Sequence, residues 1–175
     1  MRRLMLALLV VLPAVSRAQD QPPGPLAAAL KSSLTRYSAN MPGAAELMPA
    51  DKYGFKPTPE QLSFAEILAH EAQSNELLCG AIGGGPSAPA PAAGSAGPKD
   101  SLVARLRRSF DYCGGVIAQL KETALGDSVP VTSTRKMTRA RAIIVLAMDW
   151  ADHYAQAAMY LRANGILPPS ARPRP

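Results

Sequence analysis

The sequence has few of the side chains from which most enzyme sites are built. Among its 175 residues, two are histidine and two are cysteine. It has no CxxC pair, and the glycines at 83–85 lack the strand and helix that flank a phosphate-binding loop. No Ser-His-Asp arrangement is evident either. A CxxC-type redox site, a nucleotide-binding loop and a serine-hydrolase site are therefore excluded, and any chemistry must depend on a handful of residues.

Strong positive charge is also missing. The formal charge of +6 falls to +3 without residues 1–18, which hold three arginines and no acid. Aromatic residues do not alternate with the remaining basic ones, as they do on many nucleic-acid-binding surfaces. We therefore expect no nucleic-acid partner.

Long apolar runs are confined to the N-terminus. The run from Leu4 to Val15 is shorter than the roughly 20 residues that a membrane-spanning helix needs. It follows Arg2 and Arg3 and precedes small residues suited to cleavage after Ala18. This pattern predicts a signal peptide over residues 1–18 and a periplasmic or secreted protein without a membrane span after cleavage. An uncleaved N-terminal anchor is the alternative.

Alternating strand patterns are absent, whereas helical spacing recurs. After a disordered lead-in at 19–25, a first helix is predicted from Leu26 to about Ser38, with Pro42-Gly43 interrupting or kinking the pattern. Thr58 is predicted to cap a second helix, with Pro59 and Glu60 in its first turn and an end near Ala81.

The second half of the chain predicts two more helices. Residues 83–98 are rich in Gly, Pro and Ala and predict a flexible loop within one domain. A third helix is expected from about Lys99 to Ala124 and a fourth from about Thr138 to Ala163, before a disordered tail at 171–175. The prediction is an all-α four-helix bundle over residues 26–170.

Two ionisable residues lie on the apolar stripe of the fourth helix. Asp149 and His153 are four residues apart between Leu146 and Ala157, so both are expected to point inward. His70 lies on an inward stripe of the second helix. Two imidazoles and a carboxylate from facing helices are ligands suited to Zn²⁺, Fe²⁺, Mn²⁺ or Ni²⁺. The alternative is a set of hydrogen-bonded core residues without a metal.

Other polar residues are weaker candidates. Glu71 and Asp152 fall on other helix faces and are expected to be solvated; together with Tyr154 they are the available general bases. Cys79 and Cys113 could form a disulfide in an oxidising compartment or remain two buried thiols.

Three segments together resemble the DinB-like (DinB/YfiT) superfamily. They are KYGFKPTPEQLSFAEILAHEAQSNELLC, SFDYCGGVIAQL and DWADHYAQAAMYLRANGILPPS. The resemblance implies an up-down-down-up bundle, often dimeric, with a metal on three histidines. Two of these positions match His70 and His153, whereas the third is Asp149 in this chain.

Two functions are compatible with this resemblance. One is an exported metal-dependent hydrolase or thiol-type transferase of unknown substrate, with a divalent metal on His70, Asp149 and His153. The other is a non-catalytic bundle in the cell envelope that has lost its metal and binds a small ligand or a partner. The departure at Asp149 motivates the second.

Overall fold

Four long helices account for most of residues 24–85 and 97–173, which a computed structural model describes. They are α1 (Pro25–Leu47), α2 (Phe64–Gly83), α3 (Lys99–Ala118) and α4 (Arg139–Ala163). Short 3-10 turns occur at Ala50–Lys52, Glu122–Ala124 and Pro169–Ala171. The predicted signal peptide, most of the lead-in and most of the 83–98 loop lie outside the described residues, as do the last two residues of the predicted tail.

Contacts made by α2 fix the directions of its two neighbours. Asn75 of α2 contacts Ser109 of α3, and four residues later on each helix Cys79 contacts Cys113. Helices α2 and α3 therefore run parallel. On the other side of α2, the hydroxyl of Tyr160 near the end of α4 donates to the Leu62 carbonyl just before α2. Because the chain of α4 thus ends where α2 begins, these two helices are antiparallel.

Helix α1 completes the bundle by packing against α3 and α4. The start of α1 meets Glu122, just after α3, and Glu46 near its end forms an ion pair with Arg107. Helices α1 and α3 are therefore antiparallel, which makes α1 parallel to α4. This arrangement confirms the predicted up-down-down-up four-helix bundle. Large apolar side chains with almost no exposure fill its core: Phe64, Leu68, Leu106, Leu146, Trp150 and Leu161.

The predicted start of α2 at Thr58, with Pro59 and Glu60 in its first turn, is wrong. The helix begins at Phe64, because Ser63 and Glu66 form a reciprocal capping box. The Ser63 hydroxyl accepts from the Glu66 amide at 3.2 Å, and the Glu66 carboxylate accepts from the Ser63 amide at 2.7 Å. These bonds satisfy two amides that would otherwise lack a partner, whereas residue 58 begins only a turn.

Helix α1 extends farther than predicted. It continues through Pro42 to Leu47, so the expected end near Ser38 is wrong. Proline removes one backbone donor, but the neighbouring Met41, Ala44 and Ala45 are almost fully buried. Tertiary packing thus overrides the local preference for a break.

Helix α3 ends earlier than predicted, at Ala118 rather than Ala124. The 3-10 turn that follows places the carboxylate of Glu122 at the N-terminus of α1. There it accepts from the amides of Leu26 at 2.7 Å and Ala27 at 3.2 Å. A negative charge at this position complements the helix dipole and satisfies two free amides.

The connection from α3 to α4 contains a small hairpin that the sequence did not predict. Strand β1 (Ser128–Pro130) pairs antiparallel with β2 (Lys136–Thr138), and Val129 lies opposite Met137. Each strand has three residues, which is too short to show an alternating pattern. Thr138 then caps α4 by accepting from the Arg141 amide at 3.3 Å.

A disulfide joins α2 to α3 inside the core. The Cα atoms of Cys79 and Cys113 are 5.3 Å apart, within the normal range for a bridge. Both residues are fully buried. Within the described part of the chain, no helix combines the length and the hydropathy needed to cross a bilayer.

Candidate metal centre

The antiparallel packing of α2 and α4 brings the three predicted ligands together. His70, Asp149 and His153 each present a ligand atom, and these atoms lie within 4.8 Å of one another. The two imidazole ring centroids are also 4.8 Å apart. Because Asp149 and His153 are one turn apart on α4, both face the same side of α2. The cluster is therefore compact enough to share one cation.

Exposure increases across the cluster from the core to the surface. His153 is buried, Asp149 is intermediate and His70 is exposed. The expectation that His70 points inward is wrong, because its position on α2 lies at the edge of the interface with α4. The cluster consequently has a closed side at His153 and a side open to solvent at His70.

One ring nitrogen of His153 is already occupied. Its Nδ1 lies 2.9 Å from the backbone carbonyl of Asp149. A carbonyl can only accept, so Nδ1 carries the hydrogen. In the neutral ring the lone pair is then on Nε2, which leaves that atom free to bind a metal.

Glu71 follows His70 on α2, and the prediction that it is solvated is wrong. Its side chain has no exposed surface, because α4 packs over this position. Its Oε2 atom lies 3.4 Å from His153 Nδ1. Neither carboxylate oxygen of Glu71 has a hydrogen bond of good geometry, and the buried Oδ2 of Asp149 also lacks one. Ionised carboxylates are costly to bury in this way unless a cation lies nearby.

The electrostatics of the site follow from this crowding of carboxylates. Burial alone would lower the pKa of His153, but the neighbouring Glu71 and Asp149 outweigh it and raise that pKa to about 9. Burial raises the pKa of Glu71, although the nearby His153 opposes the effect. Since Nδ1 points to the Asp149 carbonyl, the contact between His153 and Glu71 is an ion pair rather than a hydrogen bond.

These shifts predict that the metal-free protein loses stability as the pH rises. Because the folded pKa of His153 is raised, its stabilising contribution is complete below the unfolded value of about 6.5. That contribution disappears as the pH passes through about 9. Burial raises the pKa of Glu71, which also makes the folded state less stable as the pH rises. Urea unfolding of chelator-treated protein from pH 6 to 10 should show this fall in the free energy of unfolding. The fall should be smaller in His153→Gln. An equal fall in both proteins would show that the raised pKa of His153 is not the source of the pH dependence.

A buried polar network holds α2 and α4 in the register that the cluster requires. The Asn75 side chain accepts from the Trp150 indole at 2.6 Å and donates to the Ser109 hydroxyl at 3.0 Å. All three residues are at most 2% exposed. Asn75 lies one turn beyond Glu71, and Trp150 follows Asp149. The network thus fixes the rotation of both helices close to the ligands.

The other predicted bases lie away from the ligand atoms or are engaged elsewhere. Asp152 is exposed, as expected, and accepts from Gln156 at 2.9 Å. The Tyr154 hydroxyl donates to Ser170 Oγ at 2.7 Å and accepts from the Ser170 amide at 2.9 Å. Tyr154 therefore anchors the segment after α4. Of the three candidates, Glu71 alone contacts a ligand residue.

A family model for the DinB superfamily matches residues 33–157, which is most of the bundle. The chain belongs to the DinB superfamily. This match confirms the resemblance seen in the sequence. Members of this superfamily are associated with metals, and the His/Asp/His group of this DinB-superfamily chain could hold one. Comparison with curated proteins gives no match.

Solved structures show the same fold. A DinB-like protein from Bacillus subtilis is 19% identical with a TM-score of 0.65, covering 83% of this chain and 99% of its own. A DinB-like protein from Bacillus cereus is 12% identical with a TM-score of 0.63, covering 80% and 93%. A mutant of a mycothiol-dependent maleylpyruvate isomerase is 16% identical with a TM-score of 0.58, covering 78% and 60%. At these identities the likeness concerns the fold alone.

Proposed function

We propose that this protein is an exported metal-dependent hydrolase that holds one divalent cation on His70, Asp149 and His153. The observation that carries the proposal is the clustering of their ligand atoms within 4.8 Å. The buried oxygens of Glu71 and Asp149 that lack a hydrogen bond support it, because a nearby cation would stabilise such oxygens. The donor set of two imidazoles and a carboxylate fits Zn²⁺, Fe²⁺, Mn²⁺ or Ni²⁺.

The buried and exposed members of the ligand set have different roles in holding the cation. His153 is fixed by its bond to the Asp149 carbonyl, so its Nε2 is oriented before any ligand arrives. The exposed His70 closes the set from α2 and leaves the solvent side accessible. A bound divalent cation would supply Lewis acidity and lower the pKa of a bound water. The chain itself contributes orientation and a low-dielectric wall behind the site.

Export is part of the proposal and has two supports. The N-terminal pattern over residues 1–18 is that of a signal peptide. The buried disulfide between Cys79 and Cys113 is of the kind that persists in oxidising compartments. Detection of an N-terminus at Gln19 in the exported protein would support export. A reduced, uncleaved protein retained in the cytoplasm would contradict it.

The test of the proposed function uses residues 19–175, produced under oxidising conditions and stripped with a chelator. We expect Zn²⁺ or Mn²⁺ to restore hydrolysis of a 4-nitrophenyl ester, because a divalent cation held by these residues would lower the pKa of a water molecule at the site. The same addition should fail in His70→Ala. Ester hydrolysis that is equal with and without metal, or equal in the variant, would exclude the proposed reaction.

The second candidate is a non-catalytic bundle in the envelope that has lost its metal and binds a small ligand or a partner. It is favoured by one observation: Tyr154 is bonded to Ser170, and Asp152 is bonded to Gln156. Neither therefore serves as an evident base. If this candidate is correct, added metal leaves the melting temperature of the protein unchanged and no ester or amide is hydrolysed.

A further inference from the structure

A groove between α1 and the segment after α4 is lined by hydrogen-bond donors. Its volume is about 700 Å³. Ser32, Arg36 and Asn40 line it from one face of α1, where they recur every four residues. Ser170 and Arg172 line it from the opposite side. Among the described residues that form its walls, none is acidic, so the groove has two arginines and no carboxylate to neutralise them.

Both arginines are oriented by contacts that leave their terminal nitrogens unused. The guanidinium of Arg36 lies over the ring of Tyr37, 5.6 Å from its centroid. Arg172 donates from Nε to the carbonyl of Leu167 at 3.1 Å. Within residues 24–85 and 97–173, neither arginine forms an ion pair or donates from Nη1 or Nη2. These four nitrogens are therefore available to a ligand in the groove.

The wall formed by the segment after α4 is held in place without a ligand. The Tyr154 hydroxyl donates to Ser170 Oγ at 2.7 Å and accepts from the Ser170 amide at 2.9 Å. Pro169 packs closely on α1 at Gly43, where a Cβ atom would lie only 3.2 Å from the proline ring. Because the Ser170 hydroxyl accepts from Tyr154, its own hydrogen remains available to donate into the groove.

The charge and the placement of the donors favour a phosphate group over a carboxylate. A phosphate monoester carries a charge of about −1.5 to −2 near neutral pH and has three acceptor oxygens, which matches two arginines on opposite walls. A carboxylate has one charge and two oxygens in a plane, which a single guanidinium can already satisfy. The groove has the size of a small-molecule site, so an organic group also has room beside Ala39 and Pro169.

We propose that this groove binds a small phosphate monoester, with Arg36 and Arg172 as the charged donors to the phosphate and Ser32, Asn40 and Ser170 as additional donors. The groove shares no residue with the candidate metal centre. It also lies on the α1 side of α4, whereas the metal centre lies on the α2 side. The proposal therefore goes beyond the proposed hydrolase activity and does not depend on it.

Calorimetric titration of metal-free residues 19–175 with phenyl phosphate tests the site, because removal of metal prevents phosphate from binding at the metal centre. We expect one phenyl phosphate to bind per chain. Arg36→Gln and Arg172→Gln should each weaken binding by about 10- to 100-fold, the effect of losing charge-assisted hydrogen bonds. Both positions are exposed, so the variants should melt as wild type does. The control Arg108→Gln removes the same charge at an exposed position of α3 outside the groove and should bind as wild type does.

Titrations with benzoate and inorganic phosphate identify the class of ligand. Both should bind more weakly than phenyl phosphate, since benzoate has a single charge and inorganic phosphate lacks the organic group that would contact Ala39 and Pro169. Benzoate binding as tight as that of phenyl phosphate would overturn the preference for phosphate. Equally tight inorganic phosphate would overturn the assignment to an ester. No saturable binding by wild type, no loss in Arg36→Gln and Arg172→Gln, or an equal loss in Arg108→Gln would overturn the site itself.

Discussion

Replacing His70 by alanine is expected to abolish tight metal binding without destabilising the bundle. His70 supplies one of three ligand atoms from α2 and completes the set begun by Asp149 and His153 on α4. Loss of an outer-shell partner already weakens metal sites by about 10- to 100-fold, so loss of a ligand should exceed about 100-fold. Because His70 is exposed, the free energy of unfolding of the metal-free protein should change by less than about 0.5 kcal/mol.

The matched control for this experiment is Asp152→Asn. Asp152 is exposed on α4 beside His153, but its carboxylate is bonded to Gln156 and lies outside the ligand group. Calorimetric titration with Zn²⁺ should therefore give the same affinity for Asp152→Asn and wild type. If His70→Ala bound Zn²⁺ as tightly as wild type, the proposed ligand set would be wrong.

The second large effect concerns the buried network that aligns α2 with α4. Asn75→Ala should lower the free energy of unfolding by about 2–4 kcal/mol, since it creates a cavity and leaves the Trp150 indole N–H without its partner. It should also weaken metal binding, because Trp150 follows the ligand Asp149 and the two helices would lose their fixed register. Urea unfolding, followed by far-ultraviolet circular dichroism, measures the first effect directly.

A double-mutant cycle with Trp150→Phe separates the hydrogen bond from the cavity. In the Trp150→Phe background the N–H is already gone, so Asn75→Ala should cost about 1 kcal/mol less than in wild type. Gln73→Ala, at a partly exposed position of the same helix, should be close to neutral. Additive effects of the two core substitutions would mean that the bond between Asn75 and Trp150 contributes nothing to stability.

Much of the fold could be predicted because helical spacing and helix-stop residues are local signals. The up-down-down-up order also followed from the resemblance to a known family. The predicted ends of α1 and α3 were wrong because tertiary packing determines where these helices end. Pro42 is retained inside α1 by the burial of its neighbours, and the end of α3 at Ala118 frees Glu122 to cap α1. The bonds from Glu122 to α1 join residues 95 and 96 positions apart, which a short window of sequence cannot show.

The ligand set could be inferred from two histidines and one carboxylate at helical spacing, but its surroundings could not. Helical spacing shows which residues share a face, but α2 has two neighbours, so spacing alone does not show that the face of Glu71 is covered. Its residue type gave no signal either, since glutamate is rarely buried. Only the packing of α4 against α2 reveals that Glu71 is covered by α4, whereas His70 lies at the edge of the same interface.

The most direct test of the metal centre is the metal content of residues 19–175 after dialysis against Zn²⁺ and removal of the free ion. Elemental analysis should find about one Zn²⁺ per chain in wild type, as expected for a site with three protein ligands. It should find essentially none in His70→Ala, whose metal-free fold stays intact. Wild-type protein that is folded and retains no more Zn²⁺ than His70→Ala would contradict the shared cation site.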